Sequence, residues 1–516
     1  MSENDIMKLL QPVAEPKHEG DSLDPADWDK FLGHCIAELR QVTRHLSSVR
    51  NRPAWQPVPG DVKQAIEEDL PLEPQGAEGV CKDIRSNILP YLLGNTHPRF
   101  FGWVHGSGTA GGLIADLYAA AMNANLGGRE HAPVYVERTV IDWCKRIFAF
   151  PETSSGLLVS GTSMANAVAV AVARNHHCPV DVREEGLTLL SKTMVGYTST
   201  ESHCSVAKAF ELLGLGRKQL RKIPVNRNFQ IDLEALQTQV ARDREAGFQP
   251  FCVVGTAGTV NCAAIDDLQE LATICDREEL WLHVDGAFGA MAILSDEFRS
   301  DLAGIERADS LAFDFHKWIH VGYDAGCVLV RNAEAHRSAF NTTEDYLAVA
   351  QGAAAGAPWF CEFGPELSRG FRALKVWFTI KEHGLNRLGA KISDNCRLAR
   401  FLGDLVDKHP NLENLVRVSL NIVCFRYRIP ALSAAELDSL NDELILLLQE
   451  SGVAVPSRTR INNQVAIRVN LTNHRTTESD IRILVEAIDE IAPQALSRVV
   501  QGFEQSQDYL PDRSSA

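Results

Sequence analysis

The sequence predicts an α/β protein with a large domain on a mostly parallel sheet and a small α+β domain behind it. Three observations carry that expectation. From about residue 90 to 385, β-type runs ("LTLLSK", "FCVVGT", "LWLHVDG", "GCVLVRN") alternate with helical segments such as "MANAVAVAVARN" and "DDLQELATICDRE". Such alternation buries a parallel sheet between helices. The pattern then changes to strand, helix, strand across "NLVRVSLNIVCFRYRI", "AAELDSLNDELILLLQESG" and "QVAIRVNLT", with a last helix near "TESDIRILVEAIDEIA". Ahead of both lies "DPADWDKFLGHCIAELRQVTRHLSSVR", where Trp28, Phe31, Leu32, Cys35, Ile36 and Leu39 recur at helical spacing.

Taken in order, the first twenty or so residues are polar and proline-punctuated and read as an arm. The helical segment follows, and "NRPAWQPVPGDV" runs extended because its prolines forbid a helix. The domains are therefore expected at 1–90 (arm and helical segment), 91–385 (large α/β domain) and 386–516 (small C-terminal α+β domain). No internal repeat or low-complexity tract interrupts them.

At 516 residues and 45% apolar, the chain can bury a large core. Its formal charge of −16 repels phosphate backbones and anionic lipid, so neither nucleic acid nor a membrane surface is an expected partner. The first residues show no basic segment followed by an apolar core, and no apolar run reaches the ~20 residues of a membrane span. A cytoplasmic protein is the expectation. Twelve cysteines without CxxC pairs read as reduced thiols rather than disulfides or metal ligands.

Four places can carry chemistry. In "EELWLHVDGAFGA" an apolar strand ends in Asp285, which is either a helix cap or a carboxylate at the ligand-binding edge of the sheet. Lys317 lies 32 residues on, between the apolar runs of "SLAFDFHKWIHVGYDAGCVLV". An amine and a carboxylate facing one cleft are what pyridoxal phosphate requires: the amine binds its aldehyde, and the carboxylate keeps the ring nitrogen protonated. "LLVSGTSMANAVAVAV" adds a Ser/Thr turn (Ser160, Gly161, Thr162, Ser163) before a helix, an ordinary cap or an anion site. His203, in "GYTSTESHCSVAKAF", opens a helix as a cap or as an imidazole able to lie over an aromatic ring.

Together these stretches resemble the group II pyridoxal-phosphate-dependent amino-acid decarboxylases, the aromatic-L-amino-acid, glutamate, cysteine-sulfinate and diaminobutyrate enzymes. "RPAWQPVPGDV" is similar to that family's "RPVYPxVxPGD", "NTHPRFFGWV" to "HPxFF", "SGTSMAN" to "SGGSEAN" and "ESHCSVAKA" to "xxHSSVxKA". "GTAGTVNCAAIDDL" is similar to "TxGTTxxGxxDxL", "LHVDGAFGA" to "HVDAAYGG", "DFHKW" to "NPHKW" and "LSRGFRALKVWF" to "LGRRFRALKMWF". The resemblance implies a fold-type I, aspartate-aminotransferase-like enzyme and a homodimer with shared active sites. It implies decarboxylation of an L-amino acid to the amine and carbon dioxide. Lys317 would bind the cofactor covalently, Asp285 would pair with the ring nitrogen and His203 would stack on the ring. Thr162, Ser163 and His316 would contact the phosphate, Thr259 would lie near the phenolic oxygen, and Ala287 would complete the cofactor site. Trp103, Val104 and His105 would line the substrate pocket. A transaminase or β-lyase would use the same lysine and aspartate, but "DFHKW" and "FRALK" favour the decarboxylase branch.

The chain also departs from that family. Phe360 stands about where the aromatic decarboxylases carry a proton-donating tyrosine, which raises oxidative release of an aldehyde as the alternative outcome and puts Phe360 in the expected pocket. Asp314 replaces an asparagine and is expected to turn toward another donor, and Met164 replaces a glutamate. Arg468 is either structural or a partner for an acidic substrate.

Overall fold

In the computed structural model, residues 23–341 and 358–507 are described. One compact unit comprises the described residues up to Val49 together with Val58–Tyr91. Its main helix, Trp28–Ser47, is capped by Asp27, whose side chain accepts from Lys30 N. Trp28, Leu32 and Leu39 on this helix remain exposed.

The other unit comprises Arg50–Pro57 and the chain from Leu92 onward. Its larger sheet has seven strands: β1 (Ser155–Val159), β2 (Met194–Ser199), β3 (Leu220–Ile223), β4 (Gln249–Thr256), β5 (Trp281–Asp285), β6 (Ser310–Asp314) and β7 (Gly326–Val330). Their spatial order is β1-β7-β6-β5-β4-β2-β3. Strands β2 to β6 pair in parallel, while β7 is antiparallel to both β1 and β6. All residues of β1, β2, β5, β6 and β7 are buried, as continuous apolar strands between helix layers must be.

Register makes this sheet a platform. Thr256 pairs with Asp285, and Asp285 with Ala312, so the carboxyl ends of β4, β5 and β6 lie side by side. That edge is where an open α/β sheet binds ligands.

A second sheet, antiparallel throughout, orders β8 (Leu412–Asn414), β9 (Ile422–Tyr427), β10 (Ser457–Ile461) and β11 (Gln464–Asn470) as β10-β11-β9-β8. Val423, Phe425 and Ile467 from its strands pack with Leu402, Leu444 and Leu484 from helices into a separate apolar cluster. The stretch "FRALKVWFTIKEHGLNRLGAKISDNCRLARFLGDLV" forms two helices, Arg372–His383 and Leu385–Lys408. Gly384 divides them at φ +71°, a left-handed conformation that glycine adopts without strain.

Two expectations about strands need correction. "LTLLSK" is not a strand: residues 187–192 form turns, and the strand is the following "MVGYTS". The short strand "LRKI" carries Arg221 and Lys222 on the outermost position of the sheet, where charge is tolerated and blunts the edge, so its composition hid it. Among the described residues no helix is long and apolar enough to cross a membrane.

Candidate active site

Asp285 ends β5 and is buried. Its Oδ1 accepts from Ala287 N at 3.2 Å and its Oδ2 from Asn166 Nδ2 at 3.0 Å. Asn166 lies one turn into the helix Thr162–His177. The same Nδ2 is 3.0 Å from Ser205 Oγ, which in turn lies 2.8 Å from His203 Nδ1. Burial pushes His283 down to about 4, so it is neutral at physiological pH. Its Nε2 is 2.9 Å from Asn166 Oδ1, which orients the amide so that the NH2 faces Asp285. A buried polar chain thus runs Asp285–Asn166–Ser205–His203.

His203 caps the helix Cys204–Leu212, with Nδ1 accepting from Ser205 N at 3.2 Å. Burial lowers its proton affinity, and the nearby Asp285 charge partly opposes that. The imidazole is accordingly biased toward its neutral form.

Lys317 sits in a single helical turn, Phe315–Trp318, that follows β6 directly. Its Nζ is 2.9 Å from Asp314 Oδ2, and Asp314 Oδ1 accepts from Thr162 N at 2.7 Å. Asp314 therefore does turn toward other donors, one of them the first amide of the Ser/Thr turn's helix. Ala325 N donates to His316 Nδ1 at 3.1 Å, which leaves Nε2 3.6 Å from the Asp314 carboxylate. Burial again lowers the histidine's proton affinity.

These groups line one cavity of about 510 Å³. Lys317, Asp285, His203, His316, Thr162, Ser163 and Ala287 all border it, and so do Trp103, Val104 and His105. Asn166, Ser205, Thr256 and Tyr323 were not singled out from the sequence. Ser205, Thr256 and Tyr323 border the cavity, and Asn166 stands directly behind Asp285.

Two expected residues lie elsewhere. Thr259 does not border the cavity: its hydroxyl accepts from Ala264 N at 3.0 Å within a tight turn, and Thr256, three residues earlier, takes the lining position. Phe360 is buried in the main core, with the Arg369 guanidinium 5.1 Å from its ring centroid, and is not among the residues lining the cavity of its own chain. The residues 342–357 that precede it, including most of the glycine-rich "AQGAAAGAP", lie outside the described residues. Arg468 is structural by its contacts. Its guanidinium donates to the carbonyls of Trp103 (2.9 Å), Asn261 (3.2 Å) and Val260 and to Ser457 Oγ (3.1 Å). Burial lowers it to about 10, so it is still charged but fully engaged.

The residues present fit pyridoxal phosphate. Thr162 Oγ1 and Thr256 Oγ1 are buried without a hydrogen-bond partner although both residues line the cavity, a costly state that a bound oxygen-rich group relieves. An amine, a buried carboxylate and a helix amino terminus stand around the same space.

A mostly parallel sheet presenting these groups at its strand ends has the architecture of the fold-type I pyridoxal enzymes. Residues 59–428 match the model of the pyridoxal-dependent decarboxylase conserved domain. The chain is 33% identical over 472 residues to an aromatic-L-amino-acid decarboxylase of Bacillus atrophaeus, covering 90% of this chain and 95% of that one. It is 30% identical over 499 residues to a histidine decarboxylase of Mus musculus, covering 92% and 73%. A crystal structure of Oryza sativa TDC with PLP and tryptamine superposes with a TM-score of 0.85 at 24% identity, over 92% of this chain and all of that one. The chain belongs to the pyridoxal-dependent decarboxylase family, and its activity is the cofactor-dependent decarboxylation of an amino acid.

Proposed function

We propose that the cavity around Lys317 is the active site and that it converts an L-amino acid with a neutral aromatic side chain into the amine and carbon dioxide. One observation carries this reading: Lys317, Asp285 and His203, from three separate segments, border one cavity, and two further residues that line it, Thr162 and Thr256, have buried hydroxyls without a partner.

Lys317 would hold the cofactor through its aldehyde and offers the amine that a substrate amine would replace. Asp285, held by Asn166 and the Ala287 amide, keeps a proton on the ring nitrogen by Coulomb attraction in a largely dry site. His203 would cover the ring face, and Thr162, Ser163 and His316 would receive the phosphate. Bound pyridoxal phosphate supplies the electron-accepting ring that takes up the pair released as the α-carboxylate leaves. A neutral substrate is supported by the engagement of Arg468 with backbone carbonyls, which keeps that guanidinium from an acidic side chain.

Release of an aldehyde remains the second reading; it rests on the family resemblance that sets Phe360 at the proton-donating tyrosine's position, while in this chain Phe360 packs in the core and does not line the cavity. Against it stand the proton-bearing His203 and Tyr323 in the cavity itself. A homodimer is supported by the exposed apolar stripe Trp28, Leu32, Ile36 and Leu39, the kind of surface that a second chain covers. Twelve free cysteines, seven of them buried, suit a reducing compartment such as the cytoplasm.

The test incubates purified holoenzyme with a panel of L-amino acids and measures carbon dioxide, ammonia and peroxide together. Carbon dioxide with amine alone is expected; all three products would establish the aldehyde route, and no product from any substrate would overturn both. Visible imine absorbance that resists dialysis, is lost on borohydride treatment and is missing in Lys317→Ala is expected of the lysine's role.

A further inference from the structure

The side-chain wall of the cavity carries a hydrogen-bonded pair whose mutual contact none of the roles above uses. Tyr323 Oη lies 3.0 Å from His105 Nδ1, and both residues border the same cavity as Lys317. The Tyr323 ring stacks on His316 with centroids 4.3 Å apart, and Trp103 meets His105 edge-on at 6.0 Å. The wall is aromatic, with two polar atoms set into it.

The surrounding backbone holds the pair in place. Lys375 Nζ donates to the Tyr323 carbonyl at 2.8 Å. A side chain at Gly106 would put its Cβ 2.0 Å from the His316 carbonyl oxygen, so the segment carrying His105 lies directly against the Lys317 turn.

We propose that Tyr323 and His105 form a hydrogen-bonding subsite for a ring hydroxyl on the substrate, making phenolic amino acids the preferred substrates. This rests on the reading of the Lys317 cavity as the active site. Burial, and after it the nearby Lys317 charge, lowers the proton affinity of His105 and favours its neutral form. A neutral imidazole and a phenol joined by one hydrogen bond have one donor and one acceptor left over, whichever tautomer is present. If Tyr323 donates to Nδ1, the Nε2–H is free to donate and the phenol oxygen to accept. If Nδ1–H donates to the phenol oxygen, the phenol O–H and Nε2 exchange those roles. Nε2 of His105 has no partner among the described residues, and one donor beside one acceptor is the complement of a hydroxyl. A side-chain carboxylate, needing donors only, is served poorly. An unsubstituted ring leaves both groups unpaired in a partly dry wall, and that is the circumstance in which hydrogen-bonding sites discriminate most strongly.

The test uses holoenzyme and two readouts. Isothermal titration with tyramine and with phenethylamine reads the subsite without turnover, and kcat/KM for L-tyrosine against L-phenylalanine reads it in the reaction. Wild-type protein is expected to favour the hydroxylated member of each pair by roughly tenfold or more. Tyr323→Phe and His105→Phe should each bring the ratio to within about twofold, while His105→Asn, which keeps a donor and an acceptor, should retain part of it. Equal affinity for the two amines in wild type, or an unchanged ratio in both phenylalanine variants, overturns the proposal. A tenfold preference for tyramine without carbon dioxide from either amino acid would keep the subsite and overturn the active-site reading. Carbon dioxide from both at equal rates, with no binding preference, would do the reverse.

Discussion

Asp314 bridges Thr162 and Lys317: one carboxylate oxygen accepts the Thr162 amide proton at 2.7 Å, and the other lies 2.9 Å from the lysine Nζ. The acid therefore occupies a donor at a helix amino terminus, the place where a phosphate dianion gains most. Asp314→Asn keeps an oxygen for the Thr162 amide and removes the like charge. We expect this variant to bind pyridoxal phosphate up to about tenfold more tightly, roughly the effect of relieving one partly screened repulsion. Fluorescence titration of the apoprotein measures it, and weaker binding than wild type would show that the Lys317 pair matters more than the repulsion.

Glu137 and Arg369 form a fully buried ion pair beside β1. Arg369 also donates to the carbonyls of Leu126 (3.0 Å) and Leu158 (2.6 Å), and Glu137 Oε1 accepts from Leu158 N at 3.3 Å. Glu137→Ala strands a buried guanidinium and should destabilise the protein by about 3–5 kcal/mol. Denaturant midpoints compared with Glu137→Gln, which keeps an acceptor, separate the lost charge from the lost hydrogen bond. A change under about 1 kcal/mol in the alanine variant would contradict the assignment.

What could be read from the sequence follows from how local each signal is. Lys317 and Asp285 stand out because a charge closing an apolar run is rare, and the strand ends they mark are adjacent by register. Asn166 gave no such signal, since one amide in an Ala/Val-rich helix reads as part of the helix until the fold brings β5 against it. The exchange of Thr259 for Thr256 is a question of turn geometry. Ala263 adopts φ +60° and the turn folds back, so that the Ala264 amide captures the Thr259 hydroxyl. Phe360 was placed by counting from "FRALK", and counting cannot tell that the turn Phe360–Phe363 buries it beside Arg369. The strand "SRTRI" gives little signal because its three middle residues are polar, with Arg458 and Arg460 exposed and Thr459 turned the other way to Asn261.

Asn166 connects Asp285, proposed to pair with the ring nitrogen, through Ser205 to His203, proposed to cover the ring. Asn166→Ala removes the partner of Asp285 Oδ2, Ser205 Oγ and His283 Nε2 at once. We expect a loss of about 1–3 kcal/mol in stability and at least a tenfold fall in cofactor affinity. Asn166→Asp should be worse for the cofactor, because a second carboxylate beside Asp285 raises the proton affinity of both. Thermal midpoints with and without pyridoxal phosphate measure the two effects separately. Equal cofactor-induced shifts in wild type and Asn166→Asp would remove Asn166 from the site.

Acid should destabilise the protein well before its carboxylates titrate. Burial lowers His283 and His336 to about 4 in the folded state, against 6.5 for a free imidazole. As pH falls below 6.5 the unfolded chain takes up these protons while the folded chain does not, so stability falls with pH and the loss levels off only below about 4. Each histidine is expected to cost on the order of 2–3 kcal/mol by pH 4.5. His336, held 2.9 Å from Ser155 Oγ and 2.8 Å from the Phe363 carbonyl, is the simpler one to replace because it lies away from the cavity. His336→Gln should be less stable than wild type at pH 7, but its midpoint should drop less between pH 7 and 4.5. Parallel curves for the two proteins would show that His336 is not buried in its neutral form, and the acid sensitivity would then have to come from His283 and the other buried histidines.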